Sequence, residues 1–370
     1  MRILVAIIGI LLIVGILQDA FETIVLPRRI SRSIRLTRLF YKVTWFGWSA
    51  IGRKIRSLNR KEYYLSLYGP LSLIALLVVW AVILVLGFAC LQWGLGSNVN
   101  APGNVVNFGT DFYMSGTTFF TLGLGDVTPT STWARGLTVI ETGTGLGFLA
   151  LVIGYLPVIY QAFSRRESGI SLLDAHAGSP PSAGELLRRH SRVQDKDELI
   201  EHLHDWERWC AELLESHLSY QVLMYYRSQH EHQSWLATLT TILDVCALIT
   251  VSIDGAASQS AWFTFAIARH AAVDLAQIFN NEAPTAPIDR LTSADFAQLR
   301  EFLATTGIAL RDAEKGERKL TKLRNMYEPY VYALSQHLQM PLPRWTSEAG
   351  AVDDWQASAW GHVEESIATL

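Results

Sequence analysis

The chain has 370 residues, 50% hydrophobic and only 18% charged, against about 25% charged in an average soluble domain. With a mean hydropathy of +0.20, this composition fits a membrane part joined to a water-soluble part and excludes a disordered chain. A net charge of −3 argues against nucleic acid as a partner, and three cysteines far apart, Cys90, Cys210 and Cys246, exclude a disulfide framework and a zinc-binding cysteine motif.

Charge divides the chain. Residues 1–164 hold 13 Lys/Arg and 6 Asp/Glu, whereas residues 165–370 hold 18 and 28, and all ten histidines follow Ser164. Eleven of the 13 basic residues fall between Arg28 and Lys61, a stretch with no acidic residue.

The first apolar run, Ile3 to Leu17, is short for a span unless its helix continues through Asp19 and Glu22 to Leu26. A signal peptide would share this grammar, but no small-residue cleavage site follows, so residues 1–26 are read as a retained span. The basic segment 27–63 interleaves Trp45, Phe46, Trp48, Ile51 and Ile55 with Lys42, Arg53, Lys54 and Arg56. That pattern suits a helix lying in the membrane interface; a solvated basic linker is the plainer reading. Residues 71–93 carry no charge over 23 positions, about 34 Å of helix against a hydrocarbon core of about 30 Å. Residues 136–160 form the third run, interrupted by Glu141.

Basic residues flanking spans stay in the cytoplasm. The rule puts segment 27–63 inside, the N-terminus outside, the connection 94–134 outside, and residues after Arg165 and Arg166 inside. The expected location is therefore a cell (inner) membrane, crossed several times.

The outer connection reads Asn107-Phe-Gly-Thr-Asp-Phe-Tyr-Met-Ser-Gly-Thr-Thr-Phe-Phe-Thr121-Leu-Gly-Leu-Gly-Asp126-Val-Thr-Pro129. Its first half predicts a short helix over 110–120, capped by Thr110 or Asp111. At about 15 Å this helix is half a bilayer long, so the glycines after it must turn the chain back. Irregular backbone at membrane depth survives only where protein encloses it or water lines it. In Thr121, Leu122, Gly123, Leu124 and Gly125 the alternating glycines take positive φ without steric cost, which lets successive carbonyls point to one side. Stacked carbonyls replace the water shell of a dehydrated cation.

The segment Thr121 to Asp126 resembles the pore signature of the potassium channel family, Thr-Val-Gly-Tyr-Gly-Asp. The likeness continues through Pro129, Trp133 and Arg135 into the third run, where Gly145 falls at the family's hinge glycine. The order of span, pore helix, filter and span over residues 64–162 is similar to the pore module of two-helix bacterial potassium channels. Two features depart from the family pattern: Leu124 replaces an aromatic residue, and Tyr113 and Met114 stand where many members carry a tryptophan pair. The resemblance implies a homotetramer, since each chain offers one pore loop, with potassium as the permeant ion and no resident cofactor or metal. It further implies a filter of residues 121–126, supported by Asp126, Tyr113, Thr117, Thr118 and Glu141, with the second span facing lipid. Gly143, Gly145 and Gly147 are read as a gating hinge or as close-packing positions. An ionised carboxylate in mid-span costs about 3 kcal/mol unless it faces water or a partner, so Glu141 is expected to pack behind the filter or pair with a pore-helix hydroxyl such as Thr117 or Thr118; lining the cavity is the other reading.

After Arg166, Gly178, Pro180, Pro181 and Gly184 mark residues 163–184 as a linker that breaks any helix from the pore. Residues 185–370 carry helical periodicity, as in Leu199, Leu203, Trp206, Trp209 and Leu213, then Phe263, Ala266, Ile267, Ala271 and Leu275, then Phe302, Ile308 and Leu310. An all-α cytoplasmic domain follows. The apolar run Trp235 to Ile253 has Asp244 at its centre and is read as a buried core helix. His202 with His204, and His230 with His232, have the wrong spacing to share a helix face; His270 with Asp274 has the right one but is read as an ordinary pair. No nucleotide-binding or catalytic motif is present, so the chain is read as a non-enzyme whose helical domain answers to an unidentified cytoplasmic ligand or protein.

Overall fold

The computed structural model describes residues 1–26, 35–104, 106–191, 196–229, 233–252, 256–279, 289–305 and 313–346. Arg28 to Arg32 of the basic segment, His230, His232, Ile253, Ile308 and Leu310 lie outside them. The chain divides into two units, Met1–Gln161 and Ala162–Leu370.

Uninterrupted apolar sequence sets the elements of the first unit. Helix α1, Arg2–Ala20, continues through a wider turn, Phe21–Val25; α2 is Leu36–Gly52, α3 Leu58–Ser66 and α4 Tyr68–Gly94. A short helix α5, Phe108–Phe119, precedes the long helix α6, Thr132–Ala177. Strand β1, Val99–Asn100, pairs antiparallel with β2, Thr128–Pro129, joining the loop before α5 to the loop after it. With 27 residues, α4 is about 40 Å long, enough to cross the hydrocarbon, whereas the 12 residues of α5 reach only about 18 Å. Among the described residues, the segments Arg2–Val25, Leu58–Gly94 and Thr132–Ala177 of this unit's helices are long and apolar enough to span. The protein is an all-α, multi-pass membrane protein.

Lipid tails give apolar helices no hydrophobic reason to associate, so close backbone approach decides their pairing. A Cβ on Gly9 of α1 would lie 2.6 Å from the Gly87 carbonyl oxygen and 2.9 Å from the Leu91 nitrogen of α4; one on Gly94 would lie 2.6 Å from Ala6. The second span is thus covered along one side by α1 and does not face lipid there, because small residues at 6, 9, 87 and 94 let the two backbones touch. The same pair carries a polar bond: buried Asp19 accepts from Trp80 Nε1 at 3.0 Å, from the Thr37 hydroxyl at 2.5 Å and from the Thr37 backbone N–H at 3.2 Å. Helix α2 buries Trp45 against Tyr68, stacks Trp48 on Tyr64 with ring centroids 4.6 Å apart, and leaves Phe46 and Ile51 exposed on its other face.

Residues 163–177 are helical, which corrects their reading as linker. No proline interrupts the helix between Gln161 and Ala177; the stop comes at Gly178, whose φ of 84° is followed by Pro180 and Pro181. The second unit holds the end of α6 with α7, Ala183–Ser191, α8, Lys196–Ser219, α9, Trp235–Ser252, α10, Ala256–Ile278, α11, Ser293–Thr305, α12, Ala313–Arg324, and α13, Glu328–Leu338. Arg166, read from sequence as a flank of the third span, is buried there. Its guanidinium donates to the carbonyls of Leu223 at 2.9 Å and Tyr226 at 3.0 Å, and pairs with Glu167. Helix α9 is apolar enough to span but is buried on nearly every side in this unit. Its Asp244 meets Arg290 at 2.6 Å and the Tyr327 hydroxyl.

Two stability predictions follow from these contacts. Gly9→Leu is expected to lower the melting temperature of the purified protein by the equivalent of about 1–3 kcal/mol of overpacking, while Gly15→Leu, where a Cβ meets open space, leaves it unchanged. Burial lowers the His337 imidazole to about 4, and its ring stacks on Phe279. Between pH 6.5 and 4 the unfolded chain therefore binds a proton that the folded chain refuses, so stability falls with falling pH by about 3 kcal/mol over the full window. Thermal melts across that range should show a shallower acid loss in His337→Phe than in the wild type.

Candidate functional site

Helix α5 starts one turn before its expected cap. Asn107 is the cap: its side chain accepts the Thr110 N–H at 3.1 Å, and Thr110 Oγ1 accepts the Asn107 N–H at 3.3 Å, the reciprocal pattern that satisfies two orphan donors. Asp111 is instead buried and accepts from Ser97 Oγ at 2.6 Å, tying the preceding loop to the helix.

At its other end α5 stops at Phe119, and the chain reverses through backbone bonds onto the last turn. Thr121 N–H donates to the Thr118 carbonyl at 3.0 Å, and the N–H groups of Leu122 and Gly123 donate to the Thr117 carbonyl at 2.8 and 3.3 Å. Thr117 and Thr118 touch residues 121–123 with carbonyls, while the Thr117 hydroxyl bonds back to Met114. Beyond this reversal φ is positive at Thr121 (57°), Gly123 (58°) and Gly125 (77°), but not at Leu122 or Leu124. A positive φ at Thr121 is uncommon, because its branched Cβ makes that region costly. Among the described residues no donor reaches the carbonyls of residues 121–125, and this segment is exposed on the single chain.

Its outer end is braced. Tyr113 donates its hydroxyl to Asp126 Oδ2 at 2.9 Å, so the phenol links α5 to the end of the segment. Met114 is buried beneath. Past Asp126, the β1–β2 pair, the Thr130 N–H to Asn98 carbonyl bond at 2.8 Å and the Arg135 to Pro129 carbonyl bond at 3.3 Å hold the exit loop.

Behind the segment, Glu141 of α6 is fully buried, but its partner is neither Thr117 nor Thr118. Ser115 takes that place: its hydroxyl bridges Glu141 Oε1 and the Val85 carbonyl, the latter at 2.8 Å. The helical phase explains the correction, because Ser115 lies on the inward face with Asp111 and Phe119, four residues either way. One hydroxyl thereby joins α4, α5 and α6. Glu141 Oε2 is buried with no hydrogen-bond partner among the described residues.

Gly145 sits directly against the carbonyl of Phe119, where any Cβ would collide, whereas Gly143 and Gly147 face open space. Helix α6 runs unbroken through all three. It also contains Pro157, which lacks the N–H that would bond the Ile153 carbonyl. Sequence reasoning passed over Ser115, Asn107 and Pro157; the pattern Asn-x-x-Thr was the one legible signal among them. In the second unit His270 and Asp274 lie 3.5 Å apart, with the histidine largely exposed.

Residues 74–161 match the model of a family described as ion channel. This segment is similar to ion channels. The match covers less than a quarter of the chain, beginning within α4 and ending where the first unit ends. No curated protein and no solved structure matches the chain.

Ser115→Ala should destabilise the purified channel by about 1–3 kcal/mol, since it strands a buried carboxyl group, and Thr117→Ala by much less. Thermal melts of the two variants, and of Ser115→Ala in a Glu141→Gln background where the loss should shrink, check this assignment.

Proposed function

We propose that the protein is a passive, potassium-selective channel whose pore is formed by four identical chains, each giving one strand of residues 121–125. The observation that carries this reading is that no donor among the described residues reaches the backbone carbonyls of residues 121–125, on a segment whose φ alternates in sign, located between two apolar helices long enough to span and just after a half-length helix. A permeating cation is the partner such carbonyls lack. The C-terminal end of α5 adds its negative dipole end beneath the strand. The Tyr113 to Asp126 bond keeps the strand extended, in the role that resemblance to potassium channels gives to these positions.

Ion passage follows from exchange of one oxygen shell for another: water leaves, and carbonyls of Thr121, Leu122, Gly123, Leu124 and Gly125 replace it at little net cost. Bending of α6 within Gly143 to Gly147 opens the inner mouth, while Gly145 keeps its contact with Phe119. The second unit lies in the cytoplasm of a cell (inner) membrane, with the N-terminus outside, and regulates the pore. One observation favours weaker selectivity: Leu124 brings no ring to brace the strand and is 64% exposed on the single chain.

Flux through purified protein in liposomes tests the proposal. Potassium flux is expected, with the reversal potential following potassium rather than sodium; equal permeability would replace potassium selectivity with a general monovalent cation channel. Gly123→Ala forces a side chain into the left-handed region at a cost of about 1–2 kcal/mol per chain, multiplied over four strands. It should abolish flux while leaving the tetramer intact on gel filtration. An intact tetramer with no potassium flux in any condition overturns the channel reading in favour of a membrane-anchored sensor or scaffold with a degenerate pore.

A further inference from the structure

Three histidines from separate helices of the second unit converge. His176 lies in the last turn of α6, His190 in the last turn of α7 and His202 in the second turn of α8. Their ring centroids are 4.3 Å (His176 to His202), 5.0 Å (His190 to His202) and 5.2 Å (His176 to His190) apart. One ring nitrogen from each lies within 4.8 Å of the other two, and the Nε2 atoms of His176 and His202 are 3.1 Å apart.

The orientation of two rings is fixed from behind. His190 Nδ1 lies 3.0 Å from the Leu186 carbonyl and His202 Nδ1 lies 2.8 Å from the Glu198 carbonyl. A carbonyl only accepts, so each Nδ1 carries the hydrogen and each Nε2 keeps its lone pair. This is the arrangement by which metal-binding imidazoles are commonly held. His190 Nε2 is shut off from solvent and has no hydrogen-bond partner among the described residues, in a residue only 9% exposed. A buried polar atom without a partner costs about 1–3 kcal/mol, and a cation bound to this nitrogen would remove that cost.

We propose that His176, His190 and His202 bind a divalent cation of the zinc class, which ties the end of α6 to α7 and α8. Imidazole donors suit zinc, copper and nickel, and not magnesium or calcium. With Zn–N bonds of about 2.0–2.1 Å, tetrahedral coordination sets nitrogens about 3.3 Å apart. The His176 to His202 spacing already meets that value, and the wider spacings close with side-chain shifts of about an ångström. Three protein ligands leave a fourth position for water or an exogenous ligand. The positive charge of Arg189, beside His190, is offset by Glu185 at 2.7 Å. The site belongs to the second unit alone, so the proposal stands apart from the channel reading.

Untagged full-length protein, stripped with chelator, should bind one zinc ion per chain in a competition titration against a chromogenic zinc chelator. His190→Gln and His202→Gln should each weaken binding by more than the roughly tenfold effect of changing an outer partner; His204→Gln and His270→Gln should leave it unchanged. Circular dichroism and gel filtration of each variant check folding. X-ray absorption of the zinc-loaded wild type, which needs no variant, should show imidazole scattering from three histidines. Wild-type binding no tighter than that of the His190→Gln/His202→Gln double variant, or thiolate scattering at the zinc edge, would overturn the site.

Discussion

Hydrocarbon offers no water to a backbone carbonyl, and that single constraint organises the first unit. Helices α4 and α6 obey it by bonding their backbones internally over lengths that cross the bilayer, save at the Ile153 carbonyl that Pro157 leaves without its N–H. The residues that break it, Thr121 to Gly125, need a built enclosure. The cap at Asn107, the reversal onto the Thr117 and Thr118 carbonyls, the Tyr113 brace and the Ser115 bridge all act on those few residues.

The enclosure uses polar bonds sparingly and places them where elements meet. Ser115 joins three helices through one oxygen, Asp19 joins α1, α2 and α4, and Asp111 joins a loop to α5. Elsewhere, backbone proximity does the joining: Gly9 against Gly87, Gly94 against Ala6, Gly145 against Phe119. A lipid-facing surface gains nothing from such small residues, so their alignment records contact between helices. The second unit works by the opposite means, with a buried ion network at Asp244, Arg290 and Tyr327 inside an ordinary apolar core.

Legibility in the sequence followed the range of the signal. Spans could be read because hydropathy over about 20 residues is a local sum. The positive φ at Gly123 and Gly125 could be read because glycine alone takes that region without steric cost. The partner of Glu141 could not, because Ser115, Thr117 and Thr118 differ only in the helix face they occupy, and which face meets α6 is decided by tertiary packing. The extension of α6 to Ala177 was missed because a polar stretch after a span reads equally as linker or as helix. The histidine cluster left no motif at all: its members are 14 and 12 residues apart and meet only once α6, α7 and α8 are packed. Glycines 143, 145 and 147 look alike in sequence, yet only 145 is pressed against its neighbour.

The bond between Asp19 and Trp80 spans 61 positions, and the ribosome adds them in order. At about 5–20 residues per second, on the order of 3–12 s separate the two. During that interval α1 is without α4, with Gly9 uncovered and the Asp19 carboxyl group lacking its indole partner. The first helix therefore begins as an unfinished half, and its packing is completed only by a partner that arrives later in synthesis.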